Sequence, residues 1–300
     1  MRNCLKYQGS KEYAALIYSP CRFIKRHLGR LLLVRPHQRS HTLANLEGAR
    51  VKLARASQHI QELENNARKY LASAPFTLLR IEEPNGDLLW RVKINRPVPL
   101  EWSAIVGDAV HNLRSALDLL AWQLVELNGA QPSRDTCFPI TQSAAGQYEQ
   151  TLQRALNGAH PKAIRLIRRL RPFAGGNIAL GQLHALDITD KHRLVLVVGA
   201  AHKHLVIKTK MKVPWQEAPV EFPPLAIKPA DRQFPLQDGA EVFRIHTAAR
   251  SDTLSEHGIV FELAFGDVAE VRGMPLAETL QSMQRHVTRV VDIVGEHFFK

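Results

Sequence analysis

Cysteine is scarce in this chain. Cys4, Cys21 and Cys137 are its only thiols in 300 residues, and no CxxC pair occurs. An odd, scattered set excludes a disulfide scaffold and a cysteine zinc site, and it fits a reducing cytoplasm, the expected compartment. Long hydrophobic runs are missing too. LLLV at 31–34 and LVLVVGAA at 194–201 fall far short of the roughly 20 residues that span a bilayer. No GxGxxG fingerprint or P-loop is present, and Gly175-Gly176 has no following Lys-Ser/Thr. No GxSxG nucleophile elbow, internal repeat or secretory leader is read either. Cys137, in TCFPI, has no histidine close in sequence and reads as a buried loop thiol.

Positive charge is plentiful but unevenly placed. The chain carries a formal net charge of +12. Residues 1–40 hold nine Lys/Arg against Glu12 alone, a local +8 that leaves only +4 for the remainder. The body is therefore mildly basic, and the charge by itself does not mark it as a nucleic-acid binder. The tail, residues 1–42, lacks hydrophobic periodicity and is expected to be disordered. A translated stretch upstream of the true start is the leading reading of it. A phosphate-binding arm and an Arg-rich targeting segment are the others.

From Leu46 a helical pattern is plain. Leu46, Ala49, Leu53, Ala56, Ile60, Leu63, Ala67 and Tyr70 recur at spacings of three and four, a heptad seam. An intramolecular helical hairpin is the commoner use of such a seam, and a homodimer is the alternative. Pro75 ends the helix. Residues 76–95 read as a β-hairpin turning at Pro84-Asn85-Gly86-Asp87. Residues 103–127 then form a helix apolar nearly all round, closed by Asn128-Gly129. Shorter helices are expected at 146–157, 161–171 and 179–191, the second of them basic on one side. Strands are expected at 193–199, 204–213, 241–247 and 258–265, with a proline-rich loop at 214–235. A final helix begins after Pro275. The four tryptophans, Trp90, Trp102, Trp122 and Trp215, read as core or interface rather than a stacking platform.

The architecture that follows is α+β: a helical bundle packed against an antiparallel β-meander, with a small β-hairpin insertion and the basic tail. The expected division is a bundle over 43–193, hairpin included, and a sheet with the C-terminal helix over 194–300. That last helix is free to return to the bundle.

Two segments concentrate ionisable groups on otherwise apolar helices. GDAVHNLRSALD (107–118) places Asp108, His111, Arg114, Ser115 and Asp118 three or four apart, so they stack along one stripe. LHALDITDKHR (183–193) carries His184, Asp187, Asp190, Lys191, His192 and Arg193. Buried charge is costly unless paired or used, and the expectation is that both clusters meet in a dry bundle interior. The candidate catalytic residues are therefore His111, Arg114, Asp118, Asp187, Lys191, His192 and Arg193. A metal reading uses Asp108, His111, His184 and Asp187, since each carboxylate and imidazole pair shares a helix face. A structural reading needs neither: Arg114 with Asp118 and Asp187 with Lys191 are i,i+4 pairs, and His111 can satisfy a buried carboxylate.

HNLRSALD, the FPI loop at 138–140, and DKHR about seventy residues further on resemble a bacterial family of uncharacterised activity. The likeness covers most of residues 43–300. A more distant resemblance is to HEPN domains, helical bundles that act as metal-independent ribonucleases through an arginine followed four to six residues later by a histidine. That resemblance implies a proton carrier and a phosphate-facing cation, and no cofactor. Arg114 matches the arginine, but the R-x4-H position holds Leu119. His111 or His192 would have to replace the missing imidazole. Arg154 with His160 and Arg250 with His257 also fit the spacing, as chance allows among fourteen histidines.

The leading expectation is thus a HEPN-like protein that binds RNA or another phosphate-bearing ligand and cleaves it. Arg114 with Lys191 or Arg193 would stabilise phosphate charge, His111 or His192 would move protons, and Asp118 or Asp187 would orient an imidazole. The rival is a non-catalytic scaffold or interaction protein whose interior charges only set packing. A metal-binding bundle comes third.

Overall fold

The computed structural model describes residues 44–142, 145–173, 175–211, 220–221, 225–227, 234–245 and 253–299. The basic tail lies outside these residues, as do most of the 214–235 loop and Trp215. Among the described residues, six helices and seven strands follow in the order α1 (Glu47–Ala72), β1 (Phe76–Glu82), β2 (Leu88–Ile94), α2 (Glu101–Leu127), α3 (Ala145–Ala155), α4 (Pro161–Arg169), α5 (Ile178–His192), β3 (Val197–Met211), β4 (Val220–Glu221), β5 (Leu225–Ile227), β6 (Glu241–Ile245), β7 (Thr253–Phe265) and α6 (Leu276–Phe298). The protein is α+β. None of the described helices is long and apolar enough to cross a membrane.

The heptad seam of α1 buries Ala49, Leu53, Ala56, Ile60, Leu63 and Tyr70 against α2 and α6. The seam that a homodimer would have used is thus filled within the chain. Pro75 stops α1 as its ring chemistry requires, and Ala74 takes φ 50° to turn the chain into β1. The hairpin forms, with Phe76 opposite Ile94 through Glu82 opposite Leu88. Gly86, at φ 84°, supplies the left-handed residue of its turn. Asn85 Oδ1 accepts from the Asp87 N–H at 2.9 Å.

Helix α2 is the centre of the bundle. It is covered by α1, α5 and α6, and Val106, Ala109, Val110, Leu113, Ala116, Leu117, Leu120, Ala121 and Val125 are all sealed from solvent. α6 does return to the bundle, burying Leu280, Met283, Val287, Val290, Val291 and Val294, so residues 43–300 make one compact unit.

The sheets depart from a simple meander in two ways. The two strands expected at 193–199 and 204–213 are one long strand, β3, interrupted only by a register shift between Ala201 and Leu205 where it pairs with β7. A bulge absorbs extra residues without ending a ladder. β6 leaves its expected neighbours and pairs with β2 instead, Leu88 opposite Ile245. The hairpin thereby becomes a three-stranded sheet, and β4, β5 and β7 all pair with β3 in the other. A third strand satisfies the open edge that a lone hairpin would expose.

Because Leu120 is fully buried, Leu120→Ala removes apolar contact and leaves a cavity. Urea unfolding should show a loss of about 2–5 kcal/mol, whereas Val51→Ala, at an exposed α1 position, should shift the midpoint little.

Candidate functional site

Three of the four sides of α2 are packed, so its ionisable residues have one open stripe. Asp108 and His111 are exposed there and Ser115 and Asp118 half-buried, while Arg114 is turned inward. This corrects the expectation of a dry interior for the whole cluster. Desolvating five polar groups costs more than leaving most of them at the rim.

The α2 and α5 clusters do meet, and Asp187 is where they join. Its carboxylate is 3% exposed, with Oδ2 accepting from Lys191 Nζ at 2.6 Å and Oδ1 lying 3.8 Å from His111 Nδ1. His111 and Lys191 themselves are 57% and 55% exposed. The far nitrogen of His111, Nε2, lies 3.4 Å from Ser115 Oγ. An imidazole and an ammonium are therefore presented to solvent beside one buried carboxylate, the ammonium hydrogen-bonded to it and the imidazole 3.8 Å away.

Gly107 leaves room for the Asp190 carboxyl: a Cβ there would lie 2.0 Å from Asp190 Oδ1, so a side chain at this position would require Asp190 to move. Burial pushes the Asp190 carboxyl above its ordinary value, and the neighbouring Asp187 and Asp108 push the same way. His184 is moved in the opposite direction: burial first, then the Arg114 guanidinium, lower it and keep the ring neutral. Among the described residues its Nδ1 is buried without a hydrogen-bond partner, as is Arg114 Nη1.

Arg114 and Asp118 form a clamp on the FPI loop. Arg114 Nη2 donates to the Phe138 carbonyl at 2.7 Å and pairs with Asp118 Oδ1 at 2.9 Å. Asp118 Oδ1 in turn accepts from the Phe138 N–H at 2.9 Å. Both backbone groups of a fully buried phenylalanine are thus satisfied by one i,i+4 ion pair. These two residues position the loop and do not face a ligand. The thiol of neighbouring Cys137 is pushed up by burial and by Asp118, which keeps it protonated at neutral pH.

His192 and Arg193 do not join the cluster. His192 is exposed and makes no hydrogen bond or ion pair among the described residues. Arg193 pairs with Asp267 beyond β7, tying the end of α5 to the β7–α6 turn. The metal set also fails to assemble. Asp108, His111, His184 and Asp187 do not converge, and among the described residues no group of three or more His, Cys, Asp or Glu is placed to hold an ion. Asp187, three residues after His184, bonds Lys191 four residues on instead. Trp90 and Trp102 are buried, as read, and Trp122 donates to Glu126 at 3.0 Å.

One feature escaped the sequence reading. Thr141, Gln142, Phe173, Asn177, Ile178, Gly181, Gln182 and Glu270 line a cavity of about 500 Å³ at the start of α5. Its sequence signal was Gly181, a glycine in the first turn of α5.

Comparison of the chain with family models, with curated proteins and with solved structures finds no match to any of the three.

Two outcomes test this geometry. The folded Asp190 carboxyl lies above 3.8, so its contribution to stability is present below the unfolded value and lost as pH rises through the raised one. Asp190→Asn should therefore equal wild type in strongly acidic urea titrations and become the more stable protein as pH rises towards neutrality. Asp118→Ala leaves Arg114 buried without its carboxylate and the Phe138 N–H without an acceptor. Thermal melts should show a loss of about 3 kcal/mol or more, and limited proteolysis should cut first in the 133–142 loop.

Proposed function

We propose that the rim between α2 and α5 binds a phosphate-bearing ligand, RNA foremost, and that the protein is a HEPN-like metal-independent ribonuclease. The observation that carries this reading is the placement of His111 and Lys191 beside buried Asp187. An exposed imidazole near a carboxylate suits proton transfer, and an exposed ammonium beside it suits a developing phosphate charge. In the reaction, the RNA 2′-oxygen attacks the adjacent phosphorus and its proton passes to His111. The bond from phosphorus to the 5′-oxygen breaks, and that oxygen takes the proton from the imidazolium. Lys191 neutralises the pentacoordinate intermediate. Arg114 and Asp118 serve as positioning residues through the Phe138 loop, and His192 and Arg193 take no part.

A second reading, a non-catalytic scaffold, is favoured by a specific observation: the Arg114–Asp118–Phe138 clamp is a complete structural unit with no ligand needed.

The full chain incubated with end-labelled RNA in the presence of a chelator separates the two. The ribonuclease reading expects cleavage that falls by about 100-fold or more in His111→Ala, and falls in Lys191→Ala, with melting temperatures close to wild type. Cleavage undiminished in His111→Ala, or none by the wild-type protein, leaves the scaffold.

A further inference from the structure

The cavity at the start of α5 has no role in the site just described. We propose that it is a nucleobase pocket whose preferred occupant is guanine. As a subsite for RNA, it rests on the reading above.

The strongest argument is Gly181. It is the fourth residue of α5, where neither a positive φ nor close packing calls for glycine: a Cβ there would meet nothing within 4 Å. Its neighbours are accounted for. Gly175 sits at φ 77°, and a Cβ on Gly176 would lie 2.2 Å from the Arg171 carbonyl oxygen. Gly175 and Gly181 both line the cavity with open space in front of them, but only Gly181 has a backbone conformation that other residues adopt.

The lining then defines the occupant. Phe173 and the exposed Ile178 supply apolar surface for a planar ring. Several side-chain acceptors remain open. Gln182 Nε2 donates to the Glu270 carbonyl at 3.0 Å and to Met274 Sδ at 3.2 Å, leaving its Oε1 unused among the described residues. Gln142 Nε2 donates to Glu270 Oε1 at 3.5 Å, leaving its own Oε1 and the second Glu270 oxygen. A ligand for this set must donate. Guanine presents a ring N–H and an amino group side by side on one edge, matched to a carboxylate. Uracil has no amino group and offers carbonyls to acceptors. A volume of about 500 Å³ lies within the range of small-ligand sites.

Adjoining charge favours a nucleotide over a neutral heterocycle. Arg171 stacks its guanidinium 5.6 Å from the centre of the Phe173 ring. On α4, Lys162, Arg165 and Arg169 are exposed at i, i+3 and i+7, one stripe, and their side chains make no ion pair or hydrogen bond among the described residues. Arg168 is the member that is paired, with Glu149. Lys162 stands in the first turn, where the helix dipole disfavours a cation. Arg169 is within about 14 Å of Phe173 along the chain, close enough to take the backbone of a strand whose base enters the cavity. The apolar face of α4 buries Ala163 and Ile167 in the core, so the stripe cannot insert into a bilayer.

Titration calorimetry of the full chain with guanosine and with uridine tests the pocket without a phosphate. Guanosine should bind at least tenfold more tightly than uridine. Gly181→Leu should weaken guanosine binding at least tenfold while the melting temperature holds or rises, leucine being the better helix former. Glu270→Gln should remove most of the preference over uridine. Arg165→Glu with Arg169→Glu should weaken a labelled single-stranded RNA and flatten its salt dependence, with guanosine affinity unchanged. No guanosine binding by the wild type, or full binding by Gly181→Leu, overturns the proposal. RNA cleavage that survives such a result leaves the ribonuclease reading standing. Guanosine binding without RNA cleavage keeps the pocket and removes the ribonuclease.

Discussion

Burial of α2 on three sides constrains everything around it. A helix with so many fully enclosed positions can carry ionisable side chains in only two ways. They must lie along the remaining stripe or be paired where they point inward. Asp108, His111, Ser115 and Asp118 follow the first course, and Arg114 follows the second through Asp118 and the Phe138 backbone. The rim with α5 is the consequence. It gathers polar groups because the helices on the other sides exclude them.

The α2–α5 seam is held by shape as much as by charge. Gly107 admits Asp190, and Asp187 sits buried beside it with one cation and one imidazole at its two oxygens. The far end of α5 is fastened to the turn before α6 through Arg193 and Asp267, and its start is capped by Asn177, which accepts from the Leu180 N–H at 3.1 Å and lies 2.9 Å from His286 Nε2. A helix fixed at both ends and at its middle can present a proton carrier and a cation in a constant relation. It can also border a cavity at its first turn without loosening the seam.

Much of this was legible along the chain. Apolar spacing marked α1, α2, α5 and α6 to within a few residues, and Asn85-Gly86 located the hairpin turn. Asp187–Lys191 and Arg114–Asp118 were visible as i,i+4 pairs because helical geometry alone brings such residues together. Strand partnership was less accessible. β6 joins β2 across some 150 residues, and a ladder between distant segments leaves no local signature. The bulge in β3 looked like a break for the same reason. The candidate site divided along the same line. Which residues share a helix face could be read, but which of them face water could not. His192 and Arg193 seemed to belong to the cluster by proximity in sequence, yet the end of α5 directs Arg193 to Asp267 instead.

Sequence alone therefore determined the elements, the central place of α2 and the pairs formed within one helix, since each depends on contacts only a few residues apart. Tertiary packing decided that Arg114 is a clamp and His111 an exposed group. It also gave Asp187 to Lys191 rather than to the expected metal set and opened a cavity in front of Gly181. Those outcomes depend on which faces neighbouring helices cover, and solvent exposure is a property of the assembled bundle rather than of any one segment.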